Sequence, residues 1–143
     1  MAYELGRLFL SQLKAHGYTK DNLPEIVLPM PLHPSRLRQR GYNQAHELTK
    51  GLRYNPAISN LRLTINDQLC WRTKVTTAQS TLNKSQRQAN VTSAFSISAK
   101  ISRYKHVAIF DDVVTTGATV SALAYALKMK GVEQIDVWCV CRA

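Results

Sequence analysis

The chain has 143 residues, of which 45% are hydrophobic and 20% charged, the balance of a soluble globular domain large enough for a sizeable core. No apolar run approaches the ~20 residues a membrane span needs, and Leu8-Phe9-Leu10 is too short for a signal-peptide core, so a membrane span is excluded and a cytoplasmic location is expected. The net charge is +10, with 19 Lys and Arg against 9 Asp and Glu, which suits a polyphosphate ligand or nucleic acid.

One domain spanning residues 1–143 is expected, with residues 1–24 as an N-terminal helix and link. Leu5, Leu8, Phe9 and Leu13 make a helical stripe over residues 2–15, which His16-Gly17 ends. Ile26-Val27-Leu28 is a short strand stopped by Pro29-Met30-Pro31. Pro31-Leu32-His33-Pro34 reads as a constrained loop that runs into Arg36, Arg38 and Arg40. Asn43 is a natural N-cap for a helix with Ala45, Leu48 and Leu52 on one face. Residues 61–65 and 68–75 read as strands. Thr76 to Asn90 is polar and long for a structureless loop, which predicts a functional lid. Residues 91–97 form another strand, 107–110 a buried one. Val120, Leu123, Ala124 and Leu127 then mark a helix, and 135–140 a final strand. Strand, helix and strand make a right-handed parallel βαβ unit.

The acids are unevenly spread. None lies between Glu25 and Glu47 or between Asp67 and Asp111, and both tracts carry several basic residues. The three cysteines, Cys70, Cys139 and Cys141, form no C-x-x-C pair and are read as small core residues.

The stretch with most chemistry is Val107 to Ser121, V-A-I-F-D-D-V-V-T-T-G-A-T-V-S. A buried strand that ends in Asp111 and Asp112 has left the core and become a site. Thr115, Thr116, Gly117, Ala118 and Thr119 are small, so backbone N–H groups there can approach a ligand closely. The helix that follows adds its unsatisfied N–H groups and the positive end of its dipole. The pattern describes an anion cradle beside two carboxylates that can hold hydroxyls or a hydrated Mg²⁺. Ligands of parallel α/β sheets bind beyond the carboxyl ends of the strands, where this loop falls.

F-D-D-V-V-T-T-G-A-T resembles the phosphoribosyl-pyrophosphate (PRPP) motif of type I phosphoribosyltransferases. L-P-M-P-L-H-P-S-R-L-R-Q-R-G-Y-N-Q-A at 28–45, Q-S-T-L at 79–82 and R-x-x-N-V-x-x-A-F at 87–95 narrow the resemblance to the competence protein F family. It covers roughly residues 25 to 142. It implies an α/β fold: a twisted, mostly parallel sheet flanked by helices, with a small hood and a mobile loop. It implies PRPP, or another ribose 5-phosphate, as ligand and Mg²⁺ as cofactor. Asp111 and Asp112 would hold the ribose hydroxyls directly or through the metal, and Thr115 to Thr119 the 5′-phosphate. Leu32, His33, Arg36, Arg38 and Arg40 would meet the pyrophosphate, and Arg72, Lys74 and Arg87 would come from the mobile loop.

Two departures stand out. The resemblance implies an N-terminal zinc finger with two C-x-x-C pairs that has no counterpart in this sequence, so a fragment or shortened homologue is expected. Thr115 occupies the position where purine-type enzymes place an Asp, so the general base is open. Two functions follow as expectations. One is transfer of the phosphoribosyl group to an unidentified nitrogen acceptor through an oxocarbenium-like transition state, with a family role in DNA uptake. The other is a non-catalytic module that binds single-stranded DNA or competence proteins. Aromatics for base stacking are few in the basic tracts, chiefly Tyr42 and Trp71.

Overall fold

The computed structural model describes residues 2–73, 83, 85 and 94–143. Helix α1 covers Ala2–Ala15. Strand β1, Ile26–Pro29, is followed by α2, Pro34–Arg40, and α3, Gln44–Arg53. A short α4, Pro56–Ser59, leads to β2, Cys70–Arg72, and β3, Phe95–Ile97. A 3-10 turn at Ala99–Arg103 precedes β4, His106–Val114. Helix α5, Ala118–Met129, and β5, Gln134–Arg142, complete the described chain.

Strands β1, β4 and β5 form a parallel sheet in that order, and β2 and β3 pair antiparallel beside it. This is the expected α/β architecture, a parallel sheet flanked by helices. The β4–α5–β5 unit is the βαβ crossover read from the sequence. Strand β4 is central, so its apolar run has no solvent-facing side. Val107, Ala108 and Ile109 are 0% exposed and Phe110 is 1% exposed. On one face Phe9 of α1 meets Phe110 and Trp138 edge-on, at centroid distances of 5.9 and 5.3 Å. Helix α1 also packs on α4. That approach depends on Gly6, because a Cβ there would fall 1.9 Å from Asn55 Nδ2.

At the opposite end of β4 from the acids lies a polar cluster. Tyr18 Oη donates to Asp136 Oδ2 at 2.6 Å, His106 Nε2 lies 2.7 Å from the same oxygen, and Trp138 Nε1 donates to Tyr18 Oη at 3.1 Å. Burial works against the Asp136 anion, but the hydrogen bonds from Tyr18 and His106 outweigh it and hold the carboxyl below its ordinary range.

Several expectations are corrected. The strand expected over 61–65 reduces to an isolated parallel bridge between Ile65 and Val27. Arg62 sits at φ 52°, and one left-handed residue ends an extended run. The strand expected over 68–75 is only Cys70–Arg72. That over 91–97 is observed as Phe95–Ile97, residues 91–93 lying outside the described set. Cys70 is buried, and desolvation pushes its thiol up to about 12. Cys141 is exposed and Cys139 half-buried, because β5 is the edge of the sheet among the described residues. The core reading therefore fails for Cys141.

Candidate functional site

The central strand does not stop at the acids. It runs on through Asp111 and Asp112 to Val114, because β5 continues to pair with it: Asp111 with Cys139, Val113 with Cys141 and Val114 with Arg142. The change happens on the other side. Strand β1 reaches only Pro29, opposite Phe110, and the Met30 N–H makes a last bond to the Phe110 carbonyl at 2.7 Å. From Asp111 onward β4 is supported by one neighbour and open towards the chain that leaves β1. The prolines at 29 and 31 thus end β1 and leave β4 open on that side beside the acids.

Asp111 Oδ1 accepts the Asp112 N–H at 2.9 Å. Burial, then the Asp112 side chain and its charge, raise the Asp111 carboxyl to about 6, while the Asp112 N–H and Arg72 oppose the rise. The folded chain therefore holds this proton more tightly than the unfolded chain does. The group's contribution to stability is fully present below about pH 4 and is lost as pH rises through about 6. Asp111→Asn should melt later than the parent at pH 8, by about 1 kcal/mol after allowing for solvent screening, and with it at pH 4. Paired thermal melts at the two pH values check this.

Beyond Val114, Thr115 to Gly117 form a bend. Gly117 caps α5 at φ 80°, a conformation that disfavours other residues. The N-cap itself brings no side chain, and the first turn holds no acid. Thr116 Oγ1 accepts the Ala118 N–H at 3.3 Å. Nothing within 4 Å would meet a Cβ at Gly117, so the space over the loop is open. Thr115, Thr116 and Ala118 are exposed, Gly117 and Thr119 half-exposed. The five predicted residues form one continuous bend and helix start adjoining the acids.

The predicted pyrophosphate segment is not wholly a loop. Pro34–Arg40 is α2, with Pro34 at its start and Gly41 closing it at φ 81°. His33 is its N-cap, and Nδ1 accepts the Ser35 N–H at 3.1 Å. His33 thus has a structural task, while Leu32 stays in the partly exposed loop before it. Helical geometry also divides the arginines. Arg36 and Arg40 are four residues apart and share a side, whereas Arg38 lies about 160° round from Arg36. All three are exposed.

Asn43 caps α3 through the His46 N–H, as expected, and its Nδ2 donates to the Met30 carbonyl at 3.0 Å. The sequence showed the cap but not the tie. Through it the start of α3 is fixed to the chain leaving β1, and so to the edge of the site. Asn43→Ala should cost about 1–2 kcal/mol, read by chemical denaturation.

Arg72 is on β2, not in the loop assigned to it, and its guanidinium stands 5.6 Å from the Phe95 ring centroid. Burial, then the charge of Arg36, lower its pKa, and Asp111 acts to raise it. Arg72 therefore lies within electrostatic reach of both the basic helix and the acids, three sequence segments brought together. Lys74 and Arg87, and most of the expected lid, lie outside the described residues.

Among the described residues no group of three or more His, Cys, Asp and Glu side chains could hold a metal. Two carboxylates suit Mg²⁺, which keeps its waters and relies on substrate oxygens more than on a protein cage. A cation would also favour the Asp111 anion that burial opposes.

No family model matches the chain. Competence protein F of Haemophilus influenzae is 36% identical over 138 residues, covering 95% of this chain and 58% of that protein. DNA utilization protein YhgH of Escherichia coli is 34% identical over 143 residues, covering 99% of this chain and 60% of that protein. The chain thus spans less than two thirds of the length of these relatives. Among solved structures, an allosteric regulatory enzyme of purine biosynthesis superposes with a TM-score of 0.56 at 11% identity, over 96% of this chain and 25% of that one. Hypoxanthine phosphoribosyltransferase of Trypanosoma cruzi superposes with a TM-score of 0.51 at 13% identity, over 99% of this chain and 71% of that one. Such identities speak to fold alone. The chain is thus similar to competence protein F and YhgH along nearly its whole length and is built on the type I phosphoribosyltransferase fold.

Proposed function

We propose that the chain binds the ribose 5-phosphate portion of PRPP with Mg²⁺ and serves DNA uptake. The observation that carries this reading is the continuity of Asp111 and Asp112 with the exposed start of α5, whose N-cap is Gly117. The helix start and the N–H groups of residues 115–119 supply fixed positive ends for a phosphate. In this reading the carboxylates hold the ribose hydroxyls. Arg72, within electrostatic reach of Asp111 and Arg36, and Arg36 itself would meet the pyrophosphate, and Arg40 shares the Arg36 side of α2.

If phosphoribosyl transfer occurs, the protein's task is positional and electrostatic. Bond breaking at C1′ develops positive charge on the sugar and negative charge on the departing pyrophosphate, which arginines stabilise. Mg²⁺, when bound, neutralises pyrophosphate oxygens and orients the hydroxyls. Thr115 offers no carboxylate base, so an acceptor nitrogen has to lose its proton elsewhere. A melting-temperature scan with PRPP and Mg²⁺ tests the reading, and a folded chain that gains nothing from PRPP refutes it.

A second reading, binding of single-stranded DNA, is favoured by one observation. Tyr42 and Trp71, two aromatics in the basic tracts, are 53% and 48% exposed. Exposed rings beside arginines are what base stacking needs. The relatives' printed names, competence and DNA utilization, point the same way. Titration of a labelled oligonucleotide at two salt concentrations should show affinity that falls with salt and with Tyr42→Ala plus Trp71→Ala. No binding at low salt removes this reading. Among the described residues no helix is long and apolar enough to cross a membrane.

A further inference from the structure

Strand β5 is the edge of the parallel sheet among the described residues, and edge strands usually carry a charge, a proline or a bulge that blocks pairing. Its middle, Val137-Trp138-Cys139-Val140-Cys141, has none of these. Val137 is 45% and Val140 48% exposed. Beside them a groove of about 850 Å³ opens between α1 and β5, and Leu8, 59% exposed, lines it. An apolar edge with a row of unpaired backbone groups is a template for another strand.

We propose that β5 pairs antiparallel with β5 of a second copy, about a twofold axis at Cys139. A twofold perpendicular to the sheet keeps each face continuous, so residues of the same parity must meet. The register centred on Cys139 sets Asp136 opposite Arg142, Val137 opposite Cys141 and Trp138 opposite Val140. Opposite charges meet and apolar residues meet. Centring on Trp138 instead would set Asp136 against Val140, and centring on Val140 would set Trp138 against Arg142. Asp136 has acceptor capacity for Arg142, because its Oδ1 takes only a long 3.4 Å bond from Gln134. The pairing is isologous and self-closing, so it ends at a dimer. It also places the two Cys139 Cα atoms roughly 4.5–5.5 Å apart, inside the range of about 4.4–6.8 Å that a disulfide spans.

The test uses the full chain. Light scattering after size exclusion should give twice the chain mass. Diamide takes two thiol hydrogens as it forms an S–S bond, and should link copies of Cys141→Ser, which keeps Cys139, at least tenfold faster than copies of Cys139→Ser. Exposure alone predicts the reverse order, since Cys141 is the more open thiol. Val137→Lys with Val140→Lys should give a monomer with a melting temperature close to the parent's. If that variant does not fold, Arg142→Glu, which sets two acids opposite each other, should weaken the dimer instead. A monomer at the highest soluble concentration leaves the edge to some other strand and overturns the proposal. So does faster linking through Cys141, or a dimer that survives the variants.

Discussion

Replacing both acids, Asp111→Asn with Asp112→Asn, is expected to abolish the rise in melting temperature that PRPP and Mg²⁺ give the parent chain. A ligand that binds only the folded state at 100 times its dissociation constant adds about 2.7 kcal/mol. For a domain of this size that is a rise of roughly 5–10 °C. The amides keep the shape of the carboxylates but not their charge, so they hold neither the metal nor the ribose hydroxyls as strong acceptors. Loss of binding is separable from loss of fold. Asp111 is held with a raised pKa, so its neutral replacement relieves an unfavourable anion above pH 6 and the unliganded variant should melt no earlier than the parent. A variant that keeps the full PRPP shift would place the ligand elsewhere. A shift with PRPP that needs no Mg²⁺ would leave the cradle and remove the cofactor.

Phe110→Ala should cost about 3–5 kcal/mol and lower the melting temperature by roughly 10 °C. The ring is 1% exposed and meets Phe9 edge-on, and its neighbour in the ladder, Trp138, meets the same Phe9. Removing it leaves a cavity at the seam of α1 and the sheet, where the surrounding strands cannot close in. It is also the last residue of β4 to be flanked by both β1 and β5. Thermal and urea melts measure the loss. An effect under about 1 kcal/mol would mean that the aromatic cluster is not the joint the packing indicates.

Much of the fold was legible because its signals are local. Hydrophobic periodicity marked α1, α3 and α5, and Asn43 marked the start of α3. The apolar run before Asp111 could only be a strand buried on both faces, and the βαβ order made it parallel. Composition and glycine also marked the bend at 115–117, since small residues with a glycine between a buried strand and a helix favour a tight turn.

Other features depended on the third dimension. The basic run Arg36 to Arg40 looked like a loop because alternating arginines mask helical periodicity, yet His33, Pro34 and Gly41 cap a helix there. The strand expected at 61–65 failed because Arg62 alone adopts a left-handed conformation. Cys141 looked like core because a strand's sequence does not say whether a neighbour lies beyond it.

The amino-acid sequence by itself determined the α/β class and the strand–turn–helix run from Asp111 to Thr119, because each rests on contacts between near neighbours in the chain. Only the tertiary structure decided that β1 stops at Pro29 while β4 runs on, which opens the acids on one side. It alone brought Arg72 from β2 and Arg36 from α2 towards Asp111. Those segments meet through sheet register and strand pairing over long separations, and residue pattern carries no record of such meetings.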